Sequence, residues 1–237
     1  MGSWVELVAS TSKEYNGILV TVALPSPGNV TMLIDIGQGA AAAEQVIIEA
    51  IPLRSNTVND SSGYSLFIPL RVASGTRLAA RAQSEDGSDT CRVSIHGCDN
   101  TNQLWGSCVS YGFNKSTTAL TEVDPGAVAD TKGSWYELSA SVGGDLAYIA
   151  LMSVLSNLAT TTAHWFVDIG VGASGSEQVV AADIYVGNHS NFDKAVPALI
   201  GMLPLDIASG SRIAVRASCS ITDASDRLID LAVIGAY

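Results

Sequence analysis

Basic residues are scarce in this chain. Twelve Lys and Arg stand against 23 Asp and Glu, so the net charge is −11 at pH 7 and the pI is near 4.5. Nucleic-acid binding calls for a basic surface that neutralises phosphates, and anionic lipid attracts polybasic segments. The field of this chain opposes both, so neither nucleic acid nor a membrane is expected as a partner. No run of about 20 uninterrupted apolar residues is present to cross a bilayer as a helix. The first residues, Met1-Gly2-Ser3-Trp4-Val5-Glu6, lack a charged stretch followed by an apolar core, and no signal peptide is expected. Cysteine is sparse too, at Cys91, Cys98, Cys108 and Cys219. With no C-x-x-C spacing and no secretion signal, these read as free, mostly buried thiols of a reducing compartment. Cys98 and Cys108 are the best-placed pair should one bridge form.

What is abundant is apolar surface and internal repetition. The chain has 237 residues, 47% of them hydrophobic, enough to bury a core rather than remain a disordered tail. Gly2-Ser3-Trp4-Val5-Glu6-Leu7 recurs as Gly133-Ser134-Trp135-Tyr136-Glu137-Leu138. Asp35-Ile36-Gly37-Gln38-Gly39-Ala40 recurs as Asp168-Ile169-Gly170-Val171-Gly172-Ala173, and Glu44-Gln45-Val46 as Glu177-Gln178-Val179. Ile68-Pro69-Leu70 is matched by Leu203-Pro204-Leu205. Ser74-Gly75-Thr76-Arg77 with Arg81 is matched by Ser209-Gly210-Ser211-Arg212 with Arg216. The period is far longer than the roughly 20–50 residues of a solenoid module, so each copy is a domain. The division expected is 1–100 for the first, 101–132 for a partly packed linker and 133–237 for the second. Leu104, Trp105, Tyr111 and Phe113 make that linker too apolar for a free tether, and Asp124-Pro125-Gly126 marks a turn in it.

Each copy reads as β. Short runs rich in β-branched residues, such as Ile18 to Leu24 and Val30 to Ile36, are separated by turn residues at regular spacing, which is the pattern of an antiparallel sandwich or jelly roll. Residues 40–50 have helical propensity, yet their counterparts in the second copy carry Gly and Ser, so loop followed by strand is expected in both. The predicted class is therefore all-β, two tandem antiparallel β-sandwich, jelly-roll-like domains.

Motifs that could carry chemistry are weighed against this frame. Gly170-Val171-Gly172-Ala173-Ser174-Gly175 fits G-x-G-x-x-G, but a dinucleotide site needs a βαβ unit around it. A glycine-rich turn between strands is expected instead. Asp35, Glu44, Asp168 and Glu177 could act as acid and base or hold Ca²⁺. Arg77, Arg81, Arg212 and Arg216 recur beside them, so salt bridges or loop-pinning hydrogen bonds are the expectation. His96, His164 and His189 pair with no Cys, Asp or Glu at metal-ligand spacing, and no G-x-S-x-G is present. No catalytic residue, cofactor or metal is expected. Trp4 and Trp135 occupy equivalent first-strand positions, where a core or interdomain anchor competes with an exposed sugar platform.

The set Gly133 to Ser141, Asp168 to Ala173, Pro204 and Ser209 to Arg212, with its first-copy counterparts, resembles virion structural proteins of tailed bacteriophages, of the head decoration, connector or tail type. The resemblance covers both repeats. It implies a non-enzymatic particle component, assembled in the bacterial cytoplasm, whose partners are other virion proteins: capsid, connector or tail subunits. A homo-oligomer is expected, and a trimer of two-domain chains would present six sandwiches to a six-fold surface. The competing reading is a lectin-like adhesin that grips host glycans through loop aromatics such as Trp105, Tyr111 or Trp165. A polysaccharide hydrolase would need two carboxylates facing one cleft about 5–10 Å apart.

Overall fold

The computed structural model describes residues 1–23, 30–55, 63–84, 89–98, 107–114, 116, 118–155, 160–188 and 199–237. Every regular element among them is a strand. The chain divides into two compact units. One comprises Met1–Ser110, Lys115–Thr118 and Ala236–Tyr237, the other Tyr111–Asn114 and Ala119–Gly235.

The first unit is built from β1 (Val5–Val8), β2 (Gly17–Ala23), β3 (Val30–Gln38), β4 (Gln45–Ser55), β5 (Gly63–Ile68), β6 (Leu78–Ser84) and β7 (Arg92–Cys98). They form one sheet in the order β1-β6-β3-β4 and a second in the order β5-β2-β7. Consecutive strands β1, β2 and β3 thus alternate between sheets, which is how a jelly-roll-like sandwich wraps. β8 (Cys108–Tyr111) adds one parallel bridge, from Cys108 to Ile48. Strand alternation sends Met32, Ile34 and Ile36 of β3 and Ile18, Val20 and Val22 of β2 into the interior, each at most 2% exposed. Burying a side chain of this size contributes about 1.5–3 kcal/mol, so this double row is what holds the two sheets together.

The second unit contains β9 (Thr121–Val123), β10 (Tyr136–Ser139), β11 (Leu146–Leu155), β12 (His164–Val171), β13 (Gln178–Gly187), β14 (Leu199–Ile207), β15 (Ile213–Cys219) and β16 (Ile229–Ala236). Its sheets run β10-β15-β12-β13 and β14-β11-β16. These are the same two orders as in the first unit, with β10 in the place of β1, β11 of β2 and so on through β16 and β7. Registers agree as well: Asp35 sits opposite Arg81 as Asp168 sits opposite Arg216. Trp165, Val167 and Ile169 of β12 face inward with no exposed surface, and β16 is buried along its whole length.

The helix-prone residues 40–44 form a tight turn, and Gln45 opens β4. Packing explains why propensity loses here. Ile47, Ile48, Ile51 and Leu53 are all buried within one extended strand, and burial of several large side chains outweighs a few tenths of a kcal/mol per residue of helix preference.

The segment expected to join the halves is partly regular. Thr121–Val123 pairs with β16, and Phe113 forms a bridge with Leu120. Leu104 and Trp105, like residues 24–29, lie outside the described residues.

Candidate functional site

The polar residues that recur in both copies converge on two braces per unit. The first begins at a β-bulge. β3 pairs Ile34 with Ile51 and Ile36 with Ile48, so β4 carries one extra residue between them. Ala50 takes φ 54° there. A bulged residue is unpaired in the ladder, and its N–H would be an orphan in the interior. Asp35 supplies the missing acceptor, Oδ1 receiving Ala50 N–H at 2.8 Å. Its other oxygen accepts from Arg81 Nε at 2.9 Å, and the Arg81 guanidinium stacks 4.5 Å from the Trp4 ring centre. Trp4 in turn lies on Gly37, where a Cβ would come within 2.6 Å of the indole. The second unit repeats each contact. Asp168 Oδ1 accepts from the N–H of bulged Asp183, φ 52°, at 3.0 Å. Asp168 Oδ2 accepts from Arg216 Nε at 2.9 Å, Arg216 stacks 4.6 Å from Trp135, and Trp135 covers Gly170. One member is added there: Lys132 Nζ donates to Asp168 Oδ1 at 2.6 Å and to Phe166 O at 2.9 Å.

The second brace is an arginine clamp. Arg77 donates to Glu6 on β1 at 2.8 Å, to Glu44 ahead of β4 at 2.8 Å and to the Gly39 carbonyl at 3.3 Å. Arg212 does the same with Glu137, Glu177 and Gly172 O at 2.6, 2.8 and 3.4 Å. One guanidinium thus ties a first strand, a glycine turn and the start of a fourth strand. The glycines in those turns are required by the backbone: Gly39 and Gly172 sit at φ 114° and 123°, a region open in practice only to glycine. They are turns between antiparallel strands, not a nucleotide loop.

This geometry decides what the carboxylates can do. A general acid needs a raised pKa. Burial alone would raise Glu44, Glu177 and Asp168. For Glu44 and Glu177 the backbone N–H groups and the clamp arginines outweigh it. For Asp168 the Asp183 N–H, Lys132 and Arg216 do so. All three end below the ordinary carboxylate range and stay ionised at neutral pH. Glu44 Oε2 is buried with no hydrogen-bond partner, while Oε1 is taken by Arg77. Among the described residues no three His, Cys, Asp or Glu side chains gather as metal ligands would. The four cysteines are free, Cys98 and Cys108 included. Burial pushes the Cys108 thiol up to about 12.

The aromatic candidates separate. Trp4 and Trp135 are half-buried members of the braces rather than core anchors or open platforms. Trp165, expected on a glycan-gripping loop, is a strand residue with no exposed surface, and its indole N–H donates to Arg227 O at 2.8 Å. That expectation fails because the side chain points to the buried face of β12. Tyr111 is half-buried at the end of β8, and Trp105 and His189 lie outside the described residues. The sequence reading missed an aromatic cluster on the other face of β12, where His164 and Phe166 meet Tyr185 of β13 with ring centres 5.6 to 6.1 Å apart. Tyr185 is 54% exposed. The visible signal was the i, i+2 pair His164 and Phe166, but Tyr185 joins it only through the hairpin register Phe166↔Tyr185.

The sequence matches no protein-family model and no curated relative. Among solved structures the chain is similar to the tandem CBM22-1–CBM22-2 domain of Paenibacillus barcinonensis Xyn10C, at 11% identity over 98% of this chain and 82% of that one, with a TM-score of 0.33. It is similar to the major capsid protein P2 of bacteriophage PM2, at 9% identity over 100% of this chain and 98% of that one, TM-score 0.34. It is also similar to VP2 of an infectious bursal disease virus subviral particle, at 14% identity over 96% of this chain and 57% of that one, TM-score 0.27.

Proposed function

We propose that this chain is a structural virion protein, a capsid decoration, connector or tail component of a tailed bacteriophage, which works by docking on neighbouring subunits and performs no catalysis. A doubled gene segment accounts for its two halves. The observation that supports this reading is the fate of the recurring polar residues. Asp35, Glu44, Arg77 and Arg81 and their four counterparts are paired with one another inside each unit, so the chemistry common to both copies is spent on architecture. What remains for function is surface, and a trimer would offer six such surfaces to a six-fold lattice. Cryo-EM of particles carrying the labelled protein, with light scattering of the free protein, tests this. Ordered density on the particle and an oligomer in solution are expected. A monomer that never enters particles overturns the reading.

A second reading is a carbohydrate-binding module, favoured by the cluster of exposed Tyr185 with half-buried His164 and Phe166, which has Thr31, Leu33 and Pro52 at the corresponding positions of the first unit. Aromatic faces of this kind stack on sugar rings. Binding on a glycan array that disappears in Tyr185→Ala would favour it over docking.

A further inference from the structure

The two units differ in one place that matters. In the second, β9 is an added strand. It pairs antiparallel with the outer edge of β16, Val123 opposite Ile229, Glu122 opposite Asp230 and Thr121 opposite Leu231. It also lies against β10, Tyr136 donates to the Asp124 carbonyl just beyond it at 3.3 Å, and Val123 has no exposed surface. β9 therefore closes the seam where the first and last strands of that sandwich meet.

Among the described residues the first unit has no strand at the corresponding seam, where β1 and β7 lie against each other at one point. Gly97 packs against Tyr15 as Gly235 packs against Leu146, and Tyr15 and Leu146 hold equivalent pairings with Val72 and Ile207. Counting back from the two glycines, Ile229-Asp230-Leu231 corresponds to Cys91-Arg92-Val93. Among the described residues β7 pairs with β2 on one side only. Between β1 and β7 lies a cavity of about 760 Å³, lined among others by Val5, Leu7, Cys91, Arg92, Val93 and Ser94. Val5 is 65% exposed, although its counterpart Tyr136 is half-buried under the β9 segment. An apolar trough beside an unpaired strand edge is the acceptor geometry for an added strand.

We infer that this trough receives an extended strand from a partner protein, running antiparallel to β7 at Cys91–Val93, with apolar side chains turned into the cavity and a carboxylate set opposite Arg92. The occupant's chemistry follows from its counterpart. β9 places Glu122 opposite Asp230, a like-charge pair, whereas the first unit presents exposed Arg92 at that position. Cross-strand neighbours of opposite charge attract, so the trough selects an acidic, apolar-alternating strand. This deepens the docking role proposed above by naming its surface, and it rests on that reading only for the partner's place in a particle.

The probe is a synthetic peptide with the sequence of residues 118–126, Thr-Ala-Leu-Thr-Glu-Val-Asp-Pro-Gly, added to the full chain. Alkylation of each cysteine is followed by mass spectrometry. The peptide is expected to slow modification of Cys91 several-fold while leaving Cys98 unchanged. Arg92→Glu, an exposed substitution that leaves the core intact, is expected to weaken peptide binding about tenfold, and a peptide carrying Lys in place of the glutamate is expected to recover it. No protection of Cys91 at about 1 mM peptide, or protection indifferent to both charge reversals, overturns the inference. Because the readout uses free protein, such a failure leaves particle incorporation as a separate result.

Discussion

Arg81 and Arg216 fill the same position with unequal support. Each neutralises a buried aspartate and covers a tryptophan, but Asp168 also holds Lys132 at 2.6 Å, while among the described residues Asp35 has the Ala50 N–H besides its arginine and no lysine. Removing one partner of a buried hydrogen-bonded pair costs about 1–3 kcal/mol, because the remaining group stays desolvated. Arg81→Ala is therefore expected to fall in that range and Arg216→Ala below it, as read from urea denaturation midpoints; equal losses would mean that Lys132 carries no weight. The brace residues were legible in the sequence because they recur as identities at matched spacing. Their roles were legible only in outline: an Asp facing an Arg could be expected, but a bulged N–H that needs the aspartate is a property of strand register. Trp165 shows the opposite failure. Its neighbours read as a strand, yet nothing local says which of the alternating faces the core covers.

At the scale of elements, the turn between the third and fourth strands offers a matched comparison. Ala42 sits at φ 64° and its counterpart Gly175 at φ 80°. A left-handed conformation costs an L-residue with a Cβ about 1–2 kcal/mol, partly offset because glycine leaves the unfolded chain freer. Ala42→Gly is expected to stabilise the first unit by about 0.5–1 kcal/mol and Gly175→Ala to destabilise the second by a similar amount. A Cβ at Gly175 meets nothing within 4 Å, so sterics will not obscure the backbone effect. Thermal melting of the two variants checks it, and a destabilising Ala42→Gly would contradict it. The strands themselves were readable from β-branched runs between turns. The seam was not: β9 is three residues long, falls in a stretch without a repeat partner, and acquires meaning only when the two sandwiches are laid side by side.

For the molecule as a whole, five carboxyl groups share one direction. Arg227 and the Gly126 N–H hold Asp124 low, the Asp226 and Ser225 N–H groups hold Asp223 low, backbone N–H groups and the clamp arginines hold Glu44 and Glu177 low, and the Asp183 N–H, Lys132 and Arg216 hold Asp168 low. The ordinary values are 4.5 for Glu and 3.8 for Asp. With each folded value depressed, the unfolded chain binds protons first as pH falls, so stability is fully present above the ordinary values and drains away through the folded ones. Denaturation midpoints are expected to be level from neutral pH down to about 5 and to drop steeply below about 4.5. A flat profile down to pH 3 would show that the braces do not favour the ionised forms.

One detail of the division into units bears on biosynthesis. Ala236–Tyr237 count with the first unit, and the Tyr237 N–H donates to the Ser107 carbonyl at 3.2 Å. These two residues are translated last, Ala236 being the final residue of β16. The half translated earliest therefore gains this hydrogen bond only once residue 237 has left the ribosome.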